Sequence, residues 1–331
     1  MNLNLQTNLL EWYAKNARAL PWRETKDPYK IWISEVLLQQ TQVVTGTVYY
    51  LRFLERFPTV QDLANAPLED VLKAWEGCGY YARARNLHAA AKQIVQNRMS
   101  ESLEGWRELK GVGAYTAAAV ASIAFGLPHA VVDGNVRRVL ARVYAEKTPL
   151  EGWLWTRADK LLLREDPGSW NQAVMELGAT VCTPKNPRCE ACPIRLECAA
   201  FATGNPAQFP APKARAKVKQ VQAVALLIGN ENAVYLEQRP PRGLLGGLFG
   251  LPLEEFETGE FEVALERLSQ RLNAQKIEYL GTVTHIFTHR KLTLLVHRAQ
   301  ANLALEDPDG LALSRMDRKA LELLGGQGRL F

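Results

Sequence analysis

The hydrophobic residues of this 331-residue chain change their spacing part-way along, and this change constrains the fold more than any other feature. Up to about residue 203, apolar residues recur every three or four positions, which is typical of helices. From about residue 220, short stretches rich in β-branched residues lie between turn residues, which is typical of strands. Because single cores rarely grow beyond about 300 residues, the sequence predicts an all-α domain followed by a smaller α+β domain.

We place the helical domain at 1–203, a linker at 204–219 and the α+β domain at 220–331. The linker contains three prolines, four Lys or Arg residues and no acidic residue, with almost nothing to bury, so we expect it to be partly extended. The predicted helices are Leu3–Ala17, Tyr29–Leu54, Leu68–Trp75, Ala82–Asn97, Ala114–Phe125, Val136–Tyr144, Asn171–Val181, Phe261–Leu272 and Arg318–Leu324. The predicted strands are Val221–Ile228, Ala233–Gln238, Ile277–Thr284 and Leu292–Arg298.

Composition narrows the class of protein. With 47% hydrophobic and 23% charged residues, the chain resembles an ordinary globular protein and not a disordered one. No apolar run approaches the roughly 20 residues that span a bilayer, and Met1–Trp12 is too polar for a signal peptide. We therefore expect a cytoplasmic monomer without a membrane partner. The net charge of +5 is too small to name a partner, since a solvated surface and a polyanion-binding surface look alike at this level.

Four of the five cysteines lie within seventeen residues, at Cys182, Cys189, Cys192 and Cys198. The spacing C-x6-C-x2-C-x5-C provides four thiolates for a tetrahedral zinc ion or for an iron–sulfur cluster. Zinc sites usually contain two C-x2-C pairs, and only one is present, so the unequal loops favour iron–sulfur. We predict a [4Fe-4S] cluster, with zinc as the alternative.

Gly111 and Gly113 separate two helical patterns. Glycines at the start of a helix let backbone N–H groups approach an anion closely, which suggests a clamp on a DNA phosphate. The alternative is a tight turn between closely packed helices.

Two carboxylates stand where carboxylates are uncommon. Glu35 shares a helical face with the apolar residues Ile31 and Leu38, so we expect it to be buried. A buried glutamate has either a structural hydrogen bond or a catalytic role, because burial raises the pKa of the carboxyl and keeps it protonated as an acid. Asp133 precedes the helix at Val136 and suits an N-cap, which is compatible with an ionised carboxylate that stabilises a cation. One protonated acid beside one carboxylate is the arrangement that cleaves glycosidic bonds.

These motifs together resemble a known family. The stretches Ser34–Thr41, Gly77–Tyr81, Leu109–Thr116 and Val132–Val136, followed by the cysteine cluster, are similar in sequence and order to MutY-type adenine DNA glycosylases of the helix-hairpin-helix superfamily. The resemblance covers almost the whole chain. It implies removal of adenine mispaired with 8-oxoguanine or guanine in double-stranded DNA, after the adenine is flipped out of the duplex.

The resemblance also implies roles for individual residues. Glu35 would protonate adenine N7 and then assist the attacking water, while Asp133 would stabilise the sugar cation. Tyr115 and Asn135 would order these catalytic groups, and tyrosine in place of the lysine of endonuclease III-type enzymes implies a monofunctional glycosylase that leaves an abasic site. The further substrate- and DNA-binding positions are Trp22, Arg23, Leu38, Gln40, Thr41, Tyr80, Gly111, Gly113 and Gln172.

The second domain is similar to Nudix hydrolases around Arg242–Pro252. Its helix Phe261–Leu272 offers only Glu262 and Glu266, without the glutamate pattern that holds magnesium, so we expect recognition without hydrolysis. Phe287, Thr288 and His289 stand where the family reads 8-oxoguanine, usually with Ser in place of Thr. The alternative for this stretch is a solvent-exposed hairpin tip.

Three other functions are compatible with parts of the sequence. The first is a glycosylase for oxidised pyrimidines, which Tyr115 and the second domain disfavour. The second is a noncatalytic iron–sulfur DNA-binding module, which the presence of Glu35 and Asp133 disfavours. The third is nucleotide hydrolysis by the second domain, which the small number of glutamates in its helix disfavours.

Overall fold

The computed structural model describes residues 2–212 and 218–325. Its helices are α1 (Asn2–Asn16), α2 (Pro28–Leu37), α3 (Val43–Arg56), α4 (Val60–Asn65), α5 (Leu68–Ala74), α6 (Ala82–Asn97), α7 (Leu103–Arg107), α8 (Ala114–Phe125), α9 (Gly134–Val143), α10 (Glu151–Leu161), α11 (Pro167–Thr180), α12 (Ala199–Ala202), α13 (Phe261–Leu272) and α14 (Arg315–Leu321). Its strands are β1 (Lys219–Ile228), β2 (Glu237–Gln238), β3 (Phe249–Gly250), β4 (Leu253–Phe256), β5 (Gln275–Ile286) and β6 (Arg290–Gln300). None of the helices described is long and apolar enough to cross a membrane.

The chain forms two compact units. The first comprises the described residues up to Asn65 and those from Asn86 to 212, and the second comprises Ala66–Arg85 with the described residues from 218 onward. The placement of Ala66–Arg85 differs from the domain boundaries predicted from sequence. The segment joins the second unit because the Tyr81 hydroxyl donates to the Leu313 carbonyl at 3.2 Å and Arg318 pairs with Glu76 at 2.7 Å.

The first unit is built around the alanine-rich α8. Most of its side chains are buried, and α2, α7 and α11 pack against it. Two glycines of α11 allow close packing. A Cβ at Gly168 would lie 2.9 Å from the Ser122 carbonyl oxygen, and one at Gly178 would lie 2.6 Å from the Asn135 Cβ. The start of α9 is therefore held directly against α11.

One predicted helix is wrong. The pattern from Tyr29 to Leu54 predicts a single helix, but the structure has α2 and α3 with a turn at 38–42 between them. Asp27 caps α2 by accepting from the Tyr29 N–H at 2.9 Å, and Gln40 in the turn has a φ of 62°. The apolar spacing continues through the turn, so periodicity alone does not reveal the break. The helix α10 and the short helices α4, α7 and α12 were not predicted.

The second unit contains a four-stranded mixed sheet in the order β4-β1-β6-β5, with β1 and β6 parallel and the other pairs antiparallel. Alternate residues of β1 are buried on both faces, because α13 covers one face and α14 the other. The predicted strand Ala233–Gln238 is largely wrong. Only Glu237–Gln238 pairs as a strand, while Val234 makes isolated bridges to Gly229 and Glu306.

The predicted linker is only partly as expected. Pro206–Gln208 forms a 3-10 turn, Phe209 is buried, and the Ala211 N–H donates to the Lys147 carbonyl at 2.8 Å, so this half is tied to the first unit. Residues 213–217 of the predicted linker lie outside the described residues. Strand β1 already begins at Lys219.

Candidate active site

The first unit contains a cavity of about 790 Å³. Ten of the residues predicted for the site line it, namely Glu35, Tyr115, Asp133, Asn135, Trp22, Arg23, Leu38, Gln40, Thr41 and Gln172. They come from α2, α8, α9, α11, the 3-10 turn Pro21–Arg23 and the turn after α2. Residues distant in sequence are thus brought to one cavity.

Glu35 is a buried carboxyl in the wall of this cavity. It lies in α2 among buried apolar neighbours, and the Tyr115 hydroxyl donates a hydrogen bond to its Oε2. Burial raises the pKa of Glu35 to about 7, with a further increase from the Asp133 charge, while the Tyr115 hydrogen bond and the Arg23 charge act in the opposite direction. Glu35 is therefore protonated in a substantial fraction of molecules near neutral pH.

Tyr115 is the second residue of α8, so the helix orientation points its hydroxyl at Glu35. Burial raises its pKa well above 10, and the neighbouring carboxylates add to this effect. The phenol therefore stays neutral and acts as a hydrogen-bond donor to the carboxyl. The same hydroxyl lies 3.5 Å from the Met175 sulfur.

Asp133 is the N-cap of α9, as predicted from its position before Val136. Its Oδ1 accepts from the Val136 N–H at 2.6 Å and its Oδ2 accepts from the Asn135 Nδ2 at 3.0 Å. Burial raises the pKa of Asp133 above its ordinary value, although these hydrogen bonds and the Arg138 charge oppose the rise. The hydrogen bonds alone predict an ordinary ionised carboxylate, but burial is the larger effect on the pKa of Asp133.

Asn135 joins the Asp133 carboxylate to the cysteine-containing loop through Arg138. Its Oδ1 accepts from Arg138 Nη2 at 2.9 Å. The same guanidinium donates to the Gly178 carbonyl at 2.7 Å and, through Nε, to the Cys182 carbonyl at 2.7 Å. The side chain of Asn135 is therefore held from both ends.

Glu176, which was not predicted from the sequence, also lines the cavity. Its carboxylate is fully buried and pairs with Arg18 and Arg23, each at 2.7 Å. Burial alone would raise the pKa of Glu176, but the hydrogen bonds from Arg18 and Arg23 lower it to about 2. The available signal was its spacing, because a glutamate four residues after Gln172 lies on the same helical face.

The two loop glycines do not line the cavity. Gly111 has a φ of 76°, and a Cβ there would lie 2.5 Å from the Asn86 Cβ, so the turn requires glycine. Gly113 is the N-cap of α8, with ordinary dihedral angles and open space around it. Both interpretations of this loop, as a phosphate clamp or as a tight turn, remain compatible with the backbone.

The residues predicted to read 8-oxoguanine lie in the second unit. Tyr80, Phe287, Thr288 and His289 all line a cavity of about 560 Å³, and the Tyr80 hydroxyl is hydrogen-bonded to that of Thr288. Tyr80 has a φ of 49°, which non-glycine residues seldom adopt. The structure thus brings together two sequence stretches that are 208 residues apart.

The four clustered cysteines line one small cavity beside α9. Arg142 is buried there, and its Nη1 lies 3.2 Å from the Cys182 Sγ. Burial and the neighbouring thiols raise the pKa of Cys189, Cys192 and Cys198, that of Cys192 to about 12. Four soft donors around one cavity, with a cation beside them, fit an iron–sulfur cluster in chemistry, but the described side chains include no group of three or more His, Cys, Asp or Glu in metal-binding arrangement.

Comparison with known proteins identifies the family. Residues 33–152 match the HhH-GPD superfamily of base excision DNA repair proteins, and residues 223–323 match the NUDIX domain. The adenine DNA glycosylase of Mus musculus is 37% identical over 360 residues, which cover 88% of this chain and 70% of the mouse protein. This chain belongs to the adenine DNA glycosylase family.

Two further proteins are similar to this chain, one of them from the same family. The adenine DNA glycosylase of Buchnera aphidicola subsp. Schizaphis graminum is 31% identical over 87% of this chain and 85% of its own length. A solved thermostable thymine-DNA glycosylase superposes with a TM-score of 0.56 at 29% identity, covering 60% of this chain and 95% of its own. The predicted fold class, a helix-hairpin-helix glycosylase domain followed by a Nudix-like domain, is confirmed.

Proposed function

We propose that this protein hydrolyses the N-glycosidic bond of adenine mispaired with 8-oxoguanine or guanine in double-stranded DNA. The proposal rests on one observation. A buried Glu35 that can be protonated near neutral pH lines the same cavity as Asp133, the N-cap of α9. Two carboxyl groups in different environments supply the acid and the anion that glycosidic-bond cleavage requires.

In the first step, Glu35 donates its proton to N7 of the flipped adenine. The C1′–N9 bond then breaks, its electron pair leaves with the neutral purine, and a positive charge develops on the sugar. The carboxylate of Asp133, at the N-terminus of α9, stabilises that charge. Its hydrogen bonds from Val136 and Asn135 keep it oriented during the step.

In the second step, water attacks C1′ of the sugar cation and loses a proton to the Glu35 carboxylate. This proton transfer restores the acid for the next turnover, and the products are free adenine and an abasic site. Tyr115 holds the Glu35 carboxyl through its hydroxyl. A phenol has no amine for an imine with the sugar, so we propose a monofunctional enzyme without strand cleavage.

Recognition of the mispair is assigned to residues on both units. Trp22, Arg23, Leu38 and Gln172 are proposed to line the adenine pocket. Gln40 is proposed to fill the emptied position in the base stack, and Thr41 to contact the DNA beside it. For the opposite base, the proposed contacts are Tyr80 with the Phe287–His289 stretch. Gly111 and Gly113 are proposed to clamp a backbone phosphate through their N–H groups.

We further propose that Cys182, Cys189, Cys192 and Cys198 hold a [4Fe-4S] cluster. When bound, such a cluster cross-links the loop that carries the four cysteines. Arg142 supports that loop by donating to the carbonyls of Thr183 and Pro184 at 2.8 Å and 2.9 Å. We also propose that the protein acts as a cytoplasmic monomer and that its Nudix-like domain binds without hydrolysing nucleotides, since α13 carries only Glu262 and Glu266.

A glycosylase assay on matched duplexes tests the proposed function. Duplexes with adenine opposite 8-oxoguanine, guanine or thymine are incubated with the protein and then treated with alkali, which cleaves only at abasic sites. We expect cleavage opposite 8-oxoguanine and guanine, none opposite thymine, and none without alkali. Alkali-resistant products from both mispairs would refute the proposal, and iron and sulfide determination on the same preparation tests the cluster.

A further inference from the structure

Glu176 is a carboxylate that the proposed reaction does not use. Its side chain is 0% exposed, whereas the side chains of its partners Arg18 and Arg23 are 38% and 14% exposed. Arg18 donates to it three times, from its backbone N–H at 3.2 Å and from Nε and Nη2 at 2.7 Å each. Arg23 donates from Nη2 at 2.7 Å and is itself anchored by donating from Nη1 to the Arg18 carbonyl at 2.9 Å. A single carboxylate thus holds two guanidinium groups.

This ion cluster lines the same cavity as Glu35. Two guanidinium groups in the wall would, if unpaired, stabilise any other carboxylate of the cavity in its charged form. The other carboxyl groups that line the cavity are Glu35 and Asp133. The charge of Arg23 already lowers the pKa of Glu35, although burial outweighs the effect.

The charged and titratable groups that face Glu35 come from several elements. They are Tyr115 from α8, Asp133 from the start of α9, Arg23 from the 3-10 turn, and, further around the cavity, Arg18, Arg137, Arg138 and Glu176. From α3, which also packs against α2, only the uncharged Val43 reaches the cavity. Among the groups on α11 that line it, Glu176 alone is acidic.

Resting on the proposed function, we propose that Glu176 is a positioning residue that ties Arg18 and Arg23 to the cavity wall, so that Glu35 keeps the proton it delivers to the leaving base. Glu176 does not touch the substrate in this scheme. It neutralises two cations that would otherwise draw the proton off Glu35. A merely structural ion pair would support the fold without affecting the titration of Glu35.

The test is the pH dependence of single-turnover adenine excision from an adenine:8-oxoguanine duplex by the full-length protein. Because Glu35 acts as an acid, the wild-type rate falls as pH rises through the pKa of that residue. Glu176→Gln keeps the shape of the side chain and removes its charge. We expect the fall in rate to occur about 1 pH unit lower, the size of shift typical of a newly unpaired neighbouring cation.

Two further variants separate positioning from folding. Arg18→Gln removes one cation and leaves Glu176 paired with Arg23, so the fall in rate is expected at a higher pH than in the wild type. Glu176→Asp keeps the charge and is expected to stay closer to the wild type than Glu176→Gln. If Glu176→Gln does not fold, as judged by circular dichroism, the direction of the Arg18→Gln shift decides.

A second readout does not require activity. Carboxyl ¹³C NMR of the free protein, with the Glu35 signal assigned by its loss in Glu35→Gln, reports the titration of Glu35 directly. An unchanged Glu35 titration in Glu176→Gln, or a downward shift in Arg18→Gln, overturns this inference. Absence of adenine excision by the wild type would instead refute the proposed function, and the NMR titration would still decide the inference.

Discussion

At the scale of single residues, the cavity places two carboxyl groups in different surroundings. The Glu35 carboxyl lies among buried apolar side chains and is hydrogen-bonded to the Tyr115 hydroxyl, and burial raises its pKa to about 7. Asp133 is also buried, but it receives two hydrogen bonds from the start of α9 that favour its charged form. This difference supports the proposed roles of Glu35 as proton donor and Asp133 as anion, and it leads to two predictions.

The first prediction concerns the proposed acid. Glu35→Gln retains the shape of the side chain but has no proton of suitable acidity, so the single-turnover rate of adenine excision is expected to fall by at least about 100-fold. Binding to the mispaired duplex, measured by fluorescence anisotropy, is expected to persist. Glu55→Gln, at an exposed position of α3, is the matched control and should keep the wild-type rate. A Glu35→Gln rate within tenfold of the wild type would contradict the proposed role.

The second prediction concerns the hydroxyl of Tyr115. Its hydrogen bond lowers the pKa of Glu35, so Tyr115→Phe should raise that pKa. The acid would then keep its proton to a higher pH, and the fall in excision rate on the alkaline side should move upward. A profile of single-turnover rate against pH measures the shift. A downward shift would show that Tyr115 does not donate to the ionised carboxyl.

At the scale of elements, the turn at 38–42 and the starts of α8 and α9 position the site. The turn brings Leu38, Gln40 and Thr41 to the same cavity. In one continuous helix, these three side chains would point in different directions around the helix axis. The N-termini of α8 and α9 present Tyr115 and Asp133. Since α8 begins directly after the glycine loop, the loop geometry determines where Tyr115 points.

The third prediction distinguishes the two glycines of that loop. Gly111→Ala places a methyl group against Asn86 on a backbone with a φ of 76°, and should lower the free energy of unfolding of the first unit by about 1–3 kcal/mol. Gly113→Ala meets open space and should cost less than about 1 kcal/mol, because only its capping preference changes. Urea unfolding followed by circular dichroism measures both. Equal costs would contradict the strained turn.

At the scale of the whole molecule, the segment Ala66–Arg85 interrupts the first unit in sequence and belongs to the second in space. Its helix α5 and the turn after it are tied to the second unit by Lys73, Glu76 and Tyr81. The same segment presents Tyr80 to Thr288. The proposed reader of the opposite base is thus assembled from two distant parts of the chain.

The fourth prediction tests this assembly by amide hydrogen exchange. Arg318 and Glu76 have side chains only 26% and 20% exposed, so their ion pair should contribute about 1 kcal/mol. Arg318→Met should therefore accelerate exchange in peptides covering Ala66–Arg85 about fivefold, as measured by mass spectrometry. Arg164→Met, which removes an ion pair whose partners are about half exposed, is the control and should leave those peptides unchanged. Equal exchange in both variants would contradict the coupling.

Local sequence determined much of this protein. The spacing of apolar residues predicted α6, α8 and α13 with the bounds the structure has, and the motif order predicted the family and ten residues of one cavity. Such features depend on neighbours along the chain, through helix periodicity, capping and turn residues. Glu35 and Asp133 were recognisable for the same reason, since each departs from the pattern of its own element.

Tertiary structure alone decided the rest. The packing of Ala66–Arg85 with the second unit and the ion pairs of Glu176 with Arg18 and Arg23 both depend on residues far apart in the chain. The break between α2 and α3 was missed because the apolar spacing continues through the turn. The pKa of Glu35 depends on distant residues as well, because desolvation is set by everything that packs around the carboxyl. Local patterns specify which groups are present, whereas burial and charge pairing, which arise only on folding, determine their protonation and their roles.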